Sequence, residues 1–252
     1  MKQIFFLTII IILAWSSAFS QGEISEDETV VFRNEKSFGM SLNTNGWGLD
    51  YKQGKFINAH KTSIFEIEYN FLKNPKEKSK LSLLDPTSRY AYGKLNACFD
   101  FRFGIGMQQQ LYRKMDLGSV EIRAYTLIGP VLGFMKPIYY KVTYPVDTIE
   151  RFTPSQQPGT IIGRTSFFYG IEEIKLNPGA FIKVGLGFEH GSTSRSLRSL
   201  DVGFTVYAYA RRMEILAENK DSRLYFTLFL NYRFGSFLYG RHLKFMNKEK
   251  QE

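Results

Sequence analysis

Hydrophobic residues recur at every second position of this chain, in runs separated by short polar or glycine-containing breaks, and the clearest run is Arg223 to Phe234. Leu224, Phe226, Leu228, Leu230, Tyr232 and Phe234 share one parity; Arg223, Tyr225, Thr227, Phe229, Asn231 and Arg233 occupy the other. Side chains alternate across a strand, so this spacing predicts a strand with a wholly apolar face, which needs a core or lipid against it. The same period returns in other segments, and helical periodicity is hard to find after residue 35. The chain is therefore read as all-β, with main strands near residues 37–44, 46–53, 62–72, 92–112, 118–134, 180–189, 198–211 and 222–234.

In the first two, Phe38, Met40 and Leu42 share a face with Trp47, Leu49 and Tyr51 across the Asn43-Thr44-Asn45-Gly46 turn. Phe65, Ile67, Tyr69 and Phe71 oppose Glu66, Glu68 and Asn70; Leu95, Ala97, Phe99, Phe101, Phe103, Ile105 and Met107 oppose Asn96, Asp100, Arg102 and Gln108. The fifth to seventh strands repeat the pattern with Glu121 and Arg123, Lys183 and Glu189, and Asp201 on the polar parity. Gly39, Gly48, Gly104, Gly106, Gly129, Gly185, Gly187 and Gly203 share that parity too. Glycine weakens an exposed strand but leaves room for large neighbours inside a narrow barrel, so the polar parity is expected to face a lumen and the apolar parity lipid.

Links between strands two and three, four and five, and six and seven are short, and those after strands three, five and seven are longer. That alternation is expected of a closed antiparallel up-and-down transmembrane β-barrel with tight periplasmic turns and extended outer loops. Eight strands is the expected count. Ten is the alternative, because Thr165 to Lys175 also alternates in part and Asn177-Pro178-Gly179 could close a hairpin. Tyr69 and Phe71 at an outer strand end, and Phe188, Tyr232 and Phe234 at inner ends, suggest aromatic belts at two membrane interfaces. A soluble secreted ligand-binding barrel would instead turn the apolar parity inward.

Lys2, the apolar run Ile4 to Trp15 and the small residues Ala18-Phe19-Ser20 read as a signal peptide over residues 1–20, cleaved before Gln21. Cleavage would leave 232 of the 252 residues, with the net charge reduced from +9 to +8 by loss of Lys2. The expected organisation is a periplasmic segment at 21–36, a barrel at 37–235 with a long outer loop at 135–178, and a polar periplasmic tail at 236–252. The single cysteine, Cys98, excludes an intramolecular disulfide, so stability is assigned to the sheet.

On this reading the lumen holds Asp50, Glu66, Glu68, Asp100, Glu121, Glu189 and Asp201 with Lys52, Arg102, Arg123, Lys183 and Arg233. An eight-stranded barrel has an interior just wide enough for side chains to fill, so these charges are expected to cross-brace a plugged lumen rather than line a channel. A small-solute pore is the alternative.

The signal peptide, the unbroken alternation and the closing Leu228-Phe229-Leu230-Asn231-Tyr232-Arg233-Phe234-Gly235 resemble the small outer-membrane β-barrel proteins of Bacteroidota-type Gram-negative bacteria, over residues 37–235. OmpA-like and OmpX-like barrels, and the PorT-like barrels that assist secretion, are similar chains; Tyr92-Gly93-Lys94-Leu95-Asn96, Gly129-Pro130 and Lys136-Pro137 mark a subgroup of its own. The resemblance implies an outer-membrane location, contact with the barrel assembly machinery through the last strand, and an envelope or secretion protein as a partner. One departure is that the chain runs on to Glu252 instead of ending at the aromatic strand.

For enzymatic chemistry, the three histidines His60, His190 and His242 fall in periplasmic turns and the tail, with no nucleophile and acid converging on them. Ser192, Ser194 and Ser196 read as turn formers, and no ligand spacing suggests a metal or other cofactor. A lipid-active enzyme is accordingly an alternative to the expected non-enzymatic barrel, which serves envelope structure or assists assembly or secretion. Lys73, Lys76, Lys78 and Lys80 in one outer loop and Arg211, Arg212 and Lys220 in another are candidates for lipopolysaccharide phosphates. Nucleic acid is excluded by compartment. The loop at 135–178 carries Tyr139, Tyr140, Tyr144, Phe152, Phe167, Phe168 and Tyr169, too aromatic for a disordered segment, and is expected to continue as sheet or fold over the mouth.

Overall fold

The computed structural model describes residues 33–58, 60–113, 120–143, 147–154, 158–190, 196–217 and 222–239. The strands are β1 (Arg33–Asn43), β2 (Gly46–Asn58), β3 (Lys61–Leu72), β4 (Ser79–Leu81), β5 (Arg89–Ala91), β6 (Asn96–Tyr112), β7 (Glu121–Pro137), β8 (Tyr139–Val142), β9 (Thr148–Arg151), β10 (Ile161–Arg164), β11 (Lys175–Glu189), β12 (Ser196–Tyr209) and β13 (Leu224–Tyr239). Eight of them, β1, β2, β3, β6, β7, β11, β12 and β13, close an antiparallel up-and-down barrel in chain order, and β13 pairs back onto β1 from Arg33↔Tyr239 to Asn43↔Phe229. The fold is thus the expected eight-stranded barrel.

The ten-strand alternative fails at a definite place. Residues beyond Arg164 turn, form one 3-10 turn at Ile171–Glu173, and enter β11 at Lys175, so Asn177-Pro178-Gly179 lies inside a strand and closes no hairpin. Pro178 is tolerated there because its carbonyl accepts the N–H of Ala210, one residue past the end of β12. A backbone N–H and C=O of one residue point to the same neighbouring strand, so the missing donor faces a position where the ladder has already ended. Other boundaries also move. β1 begins at Arg33 and β13 ends at Tyr239, so the barrel extends beyond 37–235 at both ends; the fourth barrel strand begins at Asn96, not 92; and the long loop spans 138–174. The expected signal peptide, His242 and the tail from residue 240 onward lie outside the described residues, as do Tyr144, Ser192, Ser194 and Lys220.

The two ends of the barrel differ. One, the turn end, carries the short links β2–β3, β6–β7 and β11–β12. The other, the loop end, carries the tight Thr44-Asn45 turn and the long links at 73–95, 138–174 and 210–223, which fold together. Within them β4 and β5 form a hairpin, and β8 pairs with both β9 and β10 in a three-stranded sheet. Tyr90, Ile138, Tyr140, Val142, Phe152 and Ile161 make a small buried core that also covers Ala97, which the alternation alone had assigned to the outer face. Backbone bonds tie the links to one another: Leu95 N–H to the Ile215 carbonyl, Ile138 N–H to that of Leu95 and Ala217 N–H to that of Gly93, each 2.9 Å.

The apolar parity faces outward on every barrel strand. Leu42, Ile105 and Phe226 are 64%, 64% and 63% exposed, whereas Asn231, Arg233 and Asp100 are 0–2% exposed. Trp47, Tyr69, Phe71, Phe99, Phe101 and Phe134 join in one outward aromatic cluster near the loop end, with ring centroids 5.0–6.3 Å apart. Toward the turn end, Phe38 packs on Tyr51 and is paired with Phe234. Among the described barrel strands the outward cations near the turn end are Lys36, Lys55, Lys61 and Arg198, each within a few residues of a strand end, and no carboxylate faces outward beside them.

Candidate functional site

The interior is the region where charged and apolar side chains from different strands converge. Arg233 on β13 is its centre: Nη1 lies 2.9 Å from Asp50, Nη2 2.9 Å from Glu66 and Nε 2.9 Å from Asp201, so one guanidinium ties β13 to β2, β3 and β12. Its planar guanidinium spreads its donors over a wide, rigid fork, whereas a lysine gathers its donors on a single nitrogen. Lys183 on β11 meets Glu66 at 2.7 Å and Glu68 at 3.1 Å across the barrel. Arg102 on β6 pairs with Asp100 at 3.0 Å and Glu68 at 3.8 Å, and stacks 4.3 Å from the Tyr207 ring centroid. Asp100 also accepts from Asn70 at 3.0 Å and from the Tyr209 hydroxyl at 2.6 Å. Asp50 accepts from Asn231 at 2.7 Å, and Asp201 from Ser199.

Nearer the turn end, Arg123 on β7 contacts Glu35, Glu121 and Glu189 at 2.5–2.6 Å. The Lys52 ammonium lies 4.0 Å from the Tyr125 ring centroid. Between these groups is a void of about 20 Å³ lined by Glu35, Lys52, Gln108, Arg123 and Tyr125, room for about one water molecule.

Among the charges on the polar parity, Asp50, Glu66, Glu68, Asp100, Arg102, Glu121, Arg123, Lys183, Glu189, Asp201 and Arg233 take part in ion pairs, and Lys52 meets an aromatic ring. Glu35 was missed because it was placed in a segment preceding the barrel. Its alternation with Ser37, Gly39 and Ser41 was the available sign. Also missed was the apolar share of the interior: Leu127, Val131 and Met135 of β7 point inward with Phe181 and Phe229, and Met213 and Ile215 of the last link join the same cluster. Met213 is completely buried and its methyl carbon lies 3.2 Å from where a Cβ on Gly133 would stand. No sequence period could announce two loop residues entering a barrel mouth. Glycines make the same space elsewhere, since a Cβ at Gly185 would stand 2.7 Å from the Tyr125 ring.

The loop candidates are separate from this interior. Lys73, Lys76, Lys78, Lys80, Arg211 and Arg212 are exposed at the loop end, on the β3–β6 and β12–β13 links. Lys94, by contrast, is buried and paired with Glu77 at 2.7 Å. His60 and His190 stand exposed in links at the turn end. Among the described residues no three His, Cys, Asp or Glu side chains are gathered as metal ligands.

No protein-family model and no curated protein sequence matches the chain. Solved structures similar to it include the attachment invasion locus protein Ail of Yersinia pestis, at 9% identity and a TM-score of 0.41 over 82% of this chain and 99% of that one. Neisserial surface protein A is 10% identical with a TM-score of 0.39 over 81% and 96% of the two chains. The N-terminal β-barrel domain of Pseudomonas aeruginosa OprF is 8% identical, with a TM-score of 0.37 over 82% and 98%. The fold assignment itself rests on the strand pairing described above.

Tyr140 is the keystone of the loop-end core. Its hydroxyl lies 2.8 and 3.0 Å from the Ala91 and Lys94 carbonyl oxygens and shares its one proton between them, and burial pushes its phenol above the ordinary value, keeping it a donor. Tyr140→Phe is expected to loosen the β4–β5 side of the cap by about 1–3 kcal/mol. The measurement is hydrogen exchange, which should quicken at residues 91–95 while the barrel amides stay protected.

Proposed function

We propose that this chain is an outer-membrane β-barrel that crosses lipid with its eight barrel strands, turn end in the periplasm and folded loops outside, and that its role is non-enzymatic. The observation that carries the reading is the outward apolar face on all eight strands around an interior of buried ion pairs. A water-immersed barrel inverts that arrangement, and contiguous exposed apolar surface of this extent marks a surface that meets something other than water. On β13 the outward run from Leu224 to Phe234 covers about 33 Å along the strand, which a tilt of about 40° shortens to about 25 Å, the height of a barrel's apolar band. The aromatic cluster and the outward cations lie at opposite borders of that band, as interfacial residues do.

The filled interior, together with Met213 and Ile215 at the loop-end mouth, favours a plugged barrel serving in envelope structure or as an accessory in assembly or secretion over a solute pore. The exposed Lys73, Lys76, Lys78, Lys80, Arg211 and Arg212 suit lipopolysaccharide phosphates, and the folded loop end offers a surface for an envelope or secretion partner. The reading is tested by fractionation of cells, heat-modifiable migration on gels and planar-bilayer recording. The expected result is recovery with the outer membrane, a folded form that shifts on boiling, and no unitary conductance. A freely soluble periplasmic product overturns the membrane assignment, and discrete channels from folded protein overturn the plugged lumen.

A further inference from the structure

The outer wall of the barrel is not smooth. A groove of about 590 Å³ crosses it, on the side formed by β6, β7, β11 and β12. One paired row forms its lower edge: Lys61↔Gln109, Gln109↔Ala124, Ala124↔Leu186 and Leu186↔Val202. The next row supplies Met107, Thr126, Val184 and Phe204. Its floor is low for a physical reason. Ala124 and Thr126 are small, and Gly185 pairs directly with Gly203, where the Tyr125 and Phe229 rings press against the wall from inside.

The groove changes character along its length. Lys61 is the first residue of β3, at the turn-end rim, whereas Val202 lies well inside β12, so the row climbs from the polar rim into the apolar wall. For strands tilted about 40° and about 4.8 Å apart, each step climbs about 3 Å, so four steps rise about 12 Å. That is close to the roughly 15 Å depth of one leaflet's hydrocarbon. A cation and an amide thus mark one end, apolar side chains the other, and the further cations Lys36, Lys55 and Arg198 share the rim.

We infer that this groove is a binding site for one glycerophospholipid of the periplasmic leaflet, with an acyl chain lying against Ala124, Thr126 and Val184 and the phosphodiester held by Lys61. The inference rests on the membrane reading above, and its polarity selects the leaflet: the cation is at the turn end, away from the lipopolysaccharide side. Charge complementarity with Lys61 commits the head group to a phosphate ester, and the apolar lining at Ala124, Val184 and Leu186 commits the tail to an acyl chain.

The test is native mass spectrometry of the folded full chain released from detergent micelles containing phosphatidylglycerol. The wild-type barrel is expected to retain one phosphatidylglycerol after the detergent is stripped. Ala124→Phe, which fills the floor, should lower the retained fraction about tenfold, and Lys61→Gln about fivefold. Ala208→Phe, a like substitution on an outward position paired with Ala180 and Leu224 away from the groove, should leave retention unchanged. Heat-modifiable migration verifies that each variant is folded; if Ala124→Phe does not fold, undiminished retention by Lys61→Gln overturns the site. Retention equal in Ala124→Phe and wild type, or reduced as much in Ala208→Phe, likewise reduces the groove to ordinary annular contact. A chain absent from the outer-membrane fraction defeats the membrane reading itself, whereas an outer-membrane chain whose lipid ignores Ala124 and Lys61 defeats this inference alone.

Discussion

Arg233→Met is expected to destabilise the folded barrel by about 3–5 kcal/mol, the cost of breaking a buried ion pair by removing one partner. Methionine is shorter than arginine but close to it in volume, so the loss comes mainly from charge rather than from a large void. Arg233 faces Asp50, Glu66 and Asp201 at 2.9 Å each. Glu66 keeps Lys183 as a second partner. Asp50 and Asp201 keep only the Asn231 amide and the Ser199 hydroxyl among their neutral donors, and two buried carboxylates are left without a guanidinium. Arg233→Lys should fall between, because an ammonium restores charge but not the fork that reaches three strands. Urea titration of detergent-folded protein, read by the folded band on unboiled gels, gives the midpoint shift. An unchanged midpoint for Arg233→Met would show that the interior pairs contribute nothing to stability. A buried ion pair need not stabilise more than an apolar pair of the same shape, so the expected effect concerns breaking the network and not its net worth.

Much of this interior was legible because two constraints act on the same residues. A strand alternates its faces, and a closed barrel has one inside, so parity alone sends Asp50, Glu66, Lys183 and Arg233 to a shared volume from four different strands. Parity does not set height, and that is why the pairings were not legible. Which charge meets which depends on the stagger between strands, such as Lys52↔Glu66 and Ser199↔Arg233, and on reach across the barrel, as for Lys183 and Glu66. Strand ends failed for a different reason. Pro178 reads as a breaker and Glu35 as part of a polar leader, but both are settled by what stands beside them in the sheet. The apolar half of the interior was hidden because Leu127 and Ile128, or Val131 and Leu132, put apolar residues on both parities, so the run carries no inside or outside. Met213 and Ile215 were beyond any periodic argument, since a loop fills the mouth by its tertiary path.

Leu230→Arg should cost about 2–4 kcal/mol of folding free energy in a bilayer, and Phe234→Arg on the same strand and face about 0–1 kcal/mol, because the penalty for a lipid-facing cation falls from the midplane to the interface. Leu230 is paired with Leu42 on one side and Val202 on the other, within the apolar band. Phe234 is paired with Arg198 on β12, one of the cations that border the band. Water accessibility alone makes no such distinction: the two side chains are 44% and 55% exposed. In a barrel surrounded by water both substitutions would remove an exposed apolar group and add a solvated charge, with effects within about 0.5 kcal/mol of zero and of similar size. The difference between the two variants, measured by urea titration in phospholipid vesicles, therefore reports what the outer face touches, independently of how well either variant is exported. A gap of about 1–4 kcal/mol in the stated order supports lipid against Leu230. Equal stability of the two variants would return the apolar face to the question of what covers it.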